Sequence, residues 1–416
     1  MSKKILIIGN SAKEYALAKK LSEKNEIYVA SGSDTIAEFA TCVDIREDSS
    51  RELLDFVMEN DIDITIPISL KSLNSNIVDL FDKNGQQIFA PSLEAVNTIF
   101  DKASAKKIFY KLRIPTPRFG IFEKQNMAMD YIKNLKSPIV VKTNEPSSAI
   151  VLSTEKSAKN IIDSYFINKN QKVIIEDYIW GTPFAFYALT DGYKALPIGS
   201  SILYKHSLEG DGGQLTEGMG SCVPNYKLSI ENEYFIMDNI IYPVLEYLEA
   251  GEKPYLGVLG VNGIITEDGK IQVLGLSPFM QDCDCSAILE LIDTDFVSLI
   301  ESCLVGSFSD EAEYIPQKDM FATSLVIYSK NTDTHNSSII SGLDLLDENL
   351  ILTFYPQVRK NKYLEYEMLS GAGLVLTALA RTITFSAQKV YSEVENLKCK
   401  GISYRKDICK PVNRDY

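Results

Sequence analysis

Within the first hundred residues, short apolar runs alternate with stretches of helical periodicity, and that alternation limits the possible folds more than any other feature. Residues 5–9, ILIIG, are continuously apolar, as expected of a strand buried on both faces of a parallel sheet. Residues 10–25 then set Tyr15, Leu17, Ala18 and Leu21 along one helical face,. Strand-like runs follow at 26–30, 62–67 and 87–90, with helical stretches at 53–60 and 75–84. This alternation predicts a doubly wound α/β domain up to about residue 100. The first βα turn, GNSAKE, holds Gly9 but no G-x-G-x-x-G, which argues against a dinucleotide site. A helix N-terminus behind a buried strand can still hold a phosphate.

A chain of 416 residues is too long for one core, so further domains are expected. Residues 100–112 form a helix with Lys102, Lys106, Lys107 and Lys111, read as a solvated face, and it stops at Ile114-Pro115-Thr116-Pro117,. A buried strand at 137–142 ends in Lys142, and another at 173–178 ends in Glu176-Asp177 and Tyr178. A lysine at the end of one apolar strand, facing carboxylates on a second, suits a nucleotide clamp. Each charge alone also fits a simple strand terminus. Strand-like runs at 185–198 and 256–265 enclose the glycine-rich loop 204–220, YKHSLEGDGGQLTEGMG. Its Gly210, Gly212, Gly213, Gly218 and Gly220 allow positive φ and close backbone approach to a ligand,. Lys205 ahead of them suggests an anionic or phosphorylated partner, against the alternative of a surface loop. A helix at 232–250 precedes a hairpin of 255–265 and 270–276 around Thr266-Glu267-Asp268-Gly269,. Residues 286–305 read as one helix. Strands at 320–328, 350–355 and 373–379 with a helix at 384–397 read as a separate small α+β cap.

A formal net charge of −14 argues against a sequence-independent nucleic-acid binder and leaves room for a local basic pocket for a phosphate,. No run is long enough to span a bilayer,. Of seven cysteines only Cys283 and Cys285 are close, which argues for reduced thiols in a cytoplasmic protein,. The two histidines, His206 and His335, offer no zinc-site spacing,.

The order of elements and several motifs resemble the phosphoribosylamine–glycine ligase family, ATP-grasp enzymes of purine synthesis, along the whole chain. KILIIGNSAKEYALAKKL is similar to the family's opening strand, turn and helix; Ala90-Pro91-Ser92 followed by Lys102 resembles its G-P-T and first ATP lysine. Arg113-Ile114-Pro115-Thr116 matches its I-P-T, residues 138–142 resemble the strand of the second ATP lysine, and VIIEDYIWG at 173–181 the adenine-binding strand. GDGGQLTEGMG is similar to the substrate loop, and Tyr404-Arg405-Lys406-Asp407-Ile408 resembles the closing R-x-D-I-G.

The resemblance implies an α/β architecture of three parts: an N-terminal Rossmann-like doubly wound domain at 1–101, an ATP-grasp domain at 102–310 with a lid at about 118–184, and an α+β cap at 311–416. It implies ATP as cofactor, held by Lys102, Lys142, Glu176, Asp177 and Ile179. It gives catalytic roles to Lys205 and Asp211, and substrate contacts to Gly9, Asn10, Gly213, Thr216, Gly218, Met219, Gly220 and Asp282. Partners would be nucleotide and phosphoribosyl small molecules, with no nucleic acid and no membrane, for a monomer or weak homodimer. The implied reaction phosphorylates glycine with ATP, and the amine of phosphoribosylamine attacks the acyl phosphate, with magnesium bridging the phosphates.

The family pattern is broken where that chemistry is most demanding. Its metal strand reads E-F-N-C-R-F-G-D-P-E, and here Gly275 stands for the glutamate, Ser277 for the asparagine and Phe279 for the arginine. The phosphate flap is shortened to Asn144-Glu145-Pro146-Ser147-Ser148-Ala149, and Thr182-Pro183 replace two acids. Three readings follow: an active ligase, a non-catalytic protein that binds a nucleotide or phosphoribosyl ligand, and a ligase with a changed substrate.

Overall fold

In the computed structural model the opening strand, Lys4–Ile8, lies between two parallel neighbours, Glu26–Ala30 and Ile64–Pro67. The structure describes residues 2–133, 138–145, 148–169, 172–252, 254–308, 314–329, 338–369 and 371–410. Ser137, Pro146, Ser147 and His335, which figured above, lie outside the described residues. Alternation sends Ile5 and Ile7 to a core shared with Tyr15, Leu17 and Leu21, while Leu6 and Ile8 meet Leu53, Leu54 and Val57,. Both faces are thus covered, as the unbroken apolar run requires. The helix Ala12–Ser22 starts at a capping box in which Ser11 and Glu14 satisfy each other's backbone ends,. The expected strand at 87–90 contributes only a parallel bridge, Ile88 with Thr65, and Thr41–Val43 forms the other edge.

The lid has its own antiparallel sheet, in the order Phe119–Phe122, Val173–Asp177, Ile139–Lys142, Ile150–Leu152. Ala128, Ile132, Ala158 and Ile162 cover one face of it with a separate apolar core. The largest sheet runs Ile271–Ser277, Tyr255–Ile265, Thr182–Gly192, Ala195–Leu203, Gly220–Val223, Phe321–Ser329, Gly371–Ala380, Leu352–Phe354, and Ile402–Ser403 pairs beside Phe321–Ser329. Helices Ile230–Ile236 and Tyr242–Ala250 cover one face, joined by a π turn at Met237–Ile241. Pro243 explains that turn: it has no N–H to give the preceding turn, and a wider turn absorbs the gap.

Three expectations are corrected here. The run 185–198 is a hairpin of two strands, turning where Asp191 Oδ1 accepts from the N–H groups of Tyr193 and Lys194. The helix expected at 286–305 is two, Asp282–Leu291 and Phe296–Leu304, because Ile292 bridges to Gln317 and Asp295 caps the second. The C-terminal strands form an α+β region as expected, but it is not separate. Gly220–Val223 pairs directly with Phe321–Ser329, so one sheet runs through both regions. Cys222 and Cys409 lie side by side in this region, with their Cα atoms 5.7 Å apart. Among the described residues no helix is long and apolar enough to cross a membrane.

Candidate nucleotide and substrate cleft

The register of the lid sheet builds the first half of the site. Val140 lies opposite Glu176, which puts Lys142 diagonally across from it on the same face, within reach of a long side chain. Lys142 Nζ is 2.8 Å from Glu176 Oε1, and Lys106 Nζ approaches the same oxygen at 2.9 Å. Lys106 is therefore no part of a solvated face. It is 1% exposed and is also bonded to Thr116 Oγ1 at 2.5 Å. Its place three residues from both Ala103 and Phe109, on the buried stripe of the helix Lys102–Leu112, was the available sign,. Burial works against the Glu176 carboxylate, but the charges of Lys142 and Lys106 hold its pKa below the ordinary value. Two cations share this one carboxylate. Burial and the repulsion from Lys142 accordingly bring Lys106 down to about 8, against the pull of Glu176,.

Lys102 enters from the first turn of the same helix, whose N-cap Asp101 also holds Asn144 of the shortened flap. Lys102 Nζ donates to Glu145 O at 2.6 Å and Ser148 Oγ at 3.2 Å. Ser148 Oγ in turn donates to Thr143 O, folding the flap on itself. Burial, together with the positive charges of Lys142 and Lys205, lowers Lys102 to about 8 despite Glu217 and Glu176. Lys102, Lys142 and Glu176 are thus brought together. Asp177 is not part of that face: its carboxylate pairs with Arg118 on the outside, at 3.1 Å, leaving only its backbone toward the cleft,. Ile179 follows as a half-buried residue before the exposed Trp180.

The second half forms where the first βα turn meets the helix Asp282–Leu291. Ser11 Oγ donates to Asp282 Oδ1 at 2.8 Å, and Lys13 reaches both Glu14 and Asp282. Burial pulls the Lys13 pKa down, but these two carboxylates raise it overall. Glu14 packs over Gly9, where a Cβ would collide with its carboxylate. A Cβ on Gly218 would come 3.2 Å from Cys283 Sγ, so the end of the glycine-rich loop lies beside the same helix start. Gly9, Asn10, Gly218 and Asp282 therefore converge.

The glycine-rich loop is a small hairpin, His206–Leu208 with Gly212–Leu215, on a turn at Glu209–Asp211. Gly220 has φ +156° and a Cβ there would meet Ser324 O at 2.5 Å, so no other residue fits this crossing,. Thr216 spends its hydroxyl on Lys205 O at 2.9 Å, and Met219 is buried with its N–H on Tyr204 O. Asp211 faces the C-terminal segment instead of an open cleft. Arg405 Nη1 binds Asp211 Oδ1 at 2.9 Å, and its other nitrogens fork onto Asp407 at 2.8 and 2.6 Å,. Asp407 also accepts from Gly210 N at 2.9 Å, Arg405 lies 5.1 Å from the Tyr204 ring, and Cys409 N donates to Tyr204 Oη. The sequence motif at 404–408 was visible, but this clasp was not read from it.

The residues at the implied metal positions do not fit a magnesium ion. A Cβ built on Gly275 meets nothing within 4 Å, so that position opens on space and supplies no donor. Ser277 Oγ is already committed, donating to Phe279 O at 2.6 Å. Among the described residues no cluster of three His, Cys, Asp or Glu side chains is placed to hold a metal. Hard divalent cations want oxygen ligands that include carboxylates.

Two family models match consecutive parts of the chain: Phosphoribosylglycinamide synthetase, N domain, over residues 3–97, and Phosphoribosylglycinamide synthetase, ATP-grasp (A) domain, over residues 100–285. The phosphoribosylamine–glycine ligase of Caldanaerobacter subterraneus subsp. tengcongensis is 30% identical over 420 residues, covering 97% of this chain and 99% of the relative. That of Clostridium acetobutylicum is 28% identical over 423 residues, covering 98% and 99%. The crystal structure of phosphoribosylamine–glycine ligase from Thermotoga maritima superposes with a TM-score of 0.82 at 18% identity, over 97% of this chain and 100% of that one. The biotin carboxylase domain dimer of Hydrogenobacter thermophilus 2-oxoglutarate carboxylase, solved with MgADP, ADP and bicarbonate, gives 0.69 at 15% identity, over 97% and 92%. Both structural likenesses are of fold. Matched across more than half its length by the two family models and at full length by the ligases, the chain belongs to the phosphoribosylglycinamide synthetase (phosphoribosylamine–glycine ligase) family of the ATP-grasp superfamily.

Proposed function

We propose that the cleft binds a nucleotide with its phosphates toward Lys102 and Lys142, and a phosphoribosyl ligand at the turn of Gly9 and Asn10 beside Gly218 and Asp282. We further propose that magnesium-dependent formation of glycinamide ribonucleotide is very weak or absent. The observation that carries the first part is the convergence of Lys102, Lys106 and Lys142 around Glu176. The second part rests on the lack of a carboxylate at Gly275 and Ser277. In this reading residues 1–101 and 311–416 frame an ATP-grasp unit at 102–310, with its lid at about 118–184, in a monomer or weak homodimer.

The chain's own residues supply positioning and charge. Lys102 and Lys142 neutralise phosphate oxygens, and Lys106 keeps Glu176 from drawing Lys142 away. The clasp of Arg405 and Asp407 ties the turn of the glycine-rich loop to the C-terminal segment. No step is derived through a divalent ion. The test is an assay of the purified chain with ATP, glycine and phosphoribosylamine, with calorimetric titration of ATP and ADP. Nucleotide binding without turnover is expected. Turnover at ordinary rates, ~1–10³ per second, would overturn the second part. Absence of any nucleotide binding would overturn the first.

A further inference from the structure

The mismatch between the family's metal site and the residues present has a chemical consequence of its own. A polyphosphate entering this cleft brings several negative charges, and something must offset them. On the strand Ile271–Ser277 nothing charged is available: Gly275 is open and Ser277 is committed to Phe279. Directly across from Gly275 stands Asn262, whose Oδ1 is buried with no hydrogen-bond partner among the described residues. A neutral carboxamide oxygen is one weak ligand of the six that magnesium wants, and it brings no charge to offset dehydration. Opposite this face, by contrast, positive charge is in excess. Lys142 and Lys205 act on Lys102, and Lys142 acts on Lys106; against them stand Glu176, bonded to Lys106 and Lys142, and Glu217, which acts on Lys102. Lys102 spends its ammonium on a backbone carbonyl and a hydroxyl, contacts that a phosphate oxygen can replace.

We propose that the cleft takes the polyphosphate of a nucleoside di- or triphosphate as the free anion, its charge met by Lys102 and Lys142 with Lys106 behind them, and not by a divalent cation. The inference rests on the nucleotide-cleft reading above and specifies how that cleft binds. An anion arriving beside Lys102 restores the charged form of a lysine whose burial has lowered its pKa to about 8, so binding near pH 8 should take up a proton.

The test is titration of the full chain with ATP in magnesium and in EDTA, at pH 8, in two buffers of different ionisation enthalpy. The expected result is binding in EDTA at least as tight as in magnesium, where most ATP is already complexed and the free anion is scarce, with net proton uptake. Lys142→Met should weaken binding about ten- to a hundredfold in both media, the size of a lost charge-assisted contact. Lys102→Gln, which leaves the Glu176 cluster untouched, should also weaken it and abolish the proton uptake. Asn262→Asp puts one carboxylate beside Gly275 on the same face of the sheet and should make binding magnesium-dependent. ATP binding that is more than about tenfold tighter with magnesium in the unmodified chain would overturn this inference while leaving the cleft reading intact. Binding in neither medium would overturn the cleft reading, and the inference with it.

Discussion

Neutralising Glu176 should damage the protein far more than neutralising either lysine it holds, and removing one lysine should then repair part of the damage. Both ammonium groups lie against the same oxygen, at 2.8 and 2.9 Å, in a site where Glu176 and Lys106 are each 1% exposed. At an effective dielectric of about 20, each attraction is worth about 6 kcal/mol, and the two ammoniums, held on one oxygen, repel by about 3 or more,. Lys106→Met gives up one attraction, but it relieves the repulsion and a buried charge. Its net cost should be about 1–3 kcal/mol. Glu176→Gln gives up both attractions and leaves two cations facing each other, which places it at about 3–5 kcal/mol or above. The double variant removes one of those stranded cations and should be more stable than Glu176→Gln alone, a coupling between contacting residues that simple addition would miss. The chain contains one tryptophan, Trp180, three residues beyond the strand that carries Glu176 and packed edge-on against Tyr178. Its fluorescence in urea reports on this region without a label. Equal costs for the two single variants, or a double variant less stable than Glu176→Gln, would show that the three side chains are not an electrostatic unit.

Two further outcomes follow from groups outside that cluster. Arg405→Ala strands the part-exposed Asp211 and Asp407 and should cost about 2–3 kcal/mol, below the full cost of a buried pair. Hydrogen exchange should quicken across residues 205–219 while Phe321–Ser329 stays protected, and unchanged exchange in the loop would mean that the clasp holds nothing. Asp284 is fully buried, and burial lifts its carboxyl to about 6 although Tyr187 Oη donates to it at 2.6 Å. Its folded pKa is above the unfolded value, so its contribution is fully present below about pH 4 and is lost as pH rises through 6, by about 3 kcal/mol. Asp284→Asn keeps the Tyr187 bond and should flatten that loss between pH 4 and pH 7; urea midpoints that fall equally in both proteins would refute the assignment.

The opening strand was legible because an unbroken apolar run has only one kind of place in such a fold, and the structure buries it on both faces. Lys142 and Glu176 were legible because each ends a strand whose register follows from its own alternation. Lys106 was missed because lysines at 102, 106, 107 and 111 look alike by composition, and only helical phase separates the buried ones from the solvated ones. The hairpin at 185–198 was signalled by Asp191-Gly192, where Gly192 has φ +104°, but apolar residues on both sides of that turn blurred it into one strand. The joining of the C-terminal strands to the central sheet depends on pairing between Gly220–Val223 and Phe321–Ser329, a hundred residues apart in the chain. The salt bridge between Arg405 and Asp211 spans 194 positions. Nothing local encodes either contact, since each is decided by which distant surfaces the packed layers bring together.

The position of Arg405 also orders events during synthesis. A ribosome delivers the glycine-rich loop long before the residues that grip it, so throughout most of translation the hairpin 206–215 has no partner for Asp211 or for the Gly210 N–H. The hairpin at 182–203 is made early, yet the loop is gripped only once residues 405–409 have been made, and these also bring Ile408 and Cys409 to the core. A chain lacking those residues would therefore lose the order of the loop and part of the core packing together, not the site alone.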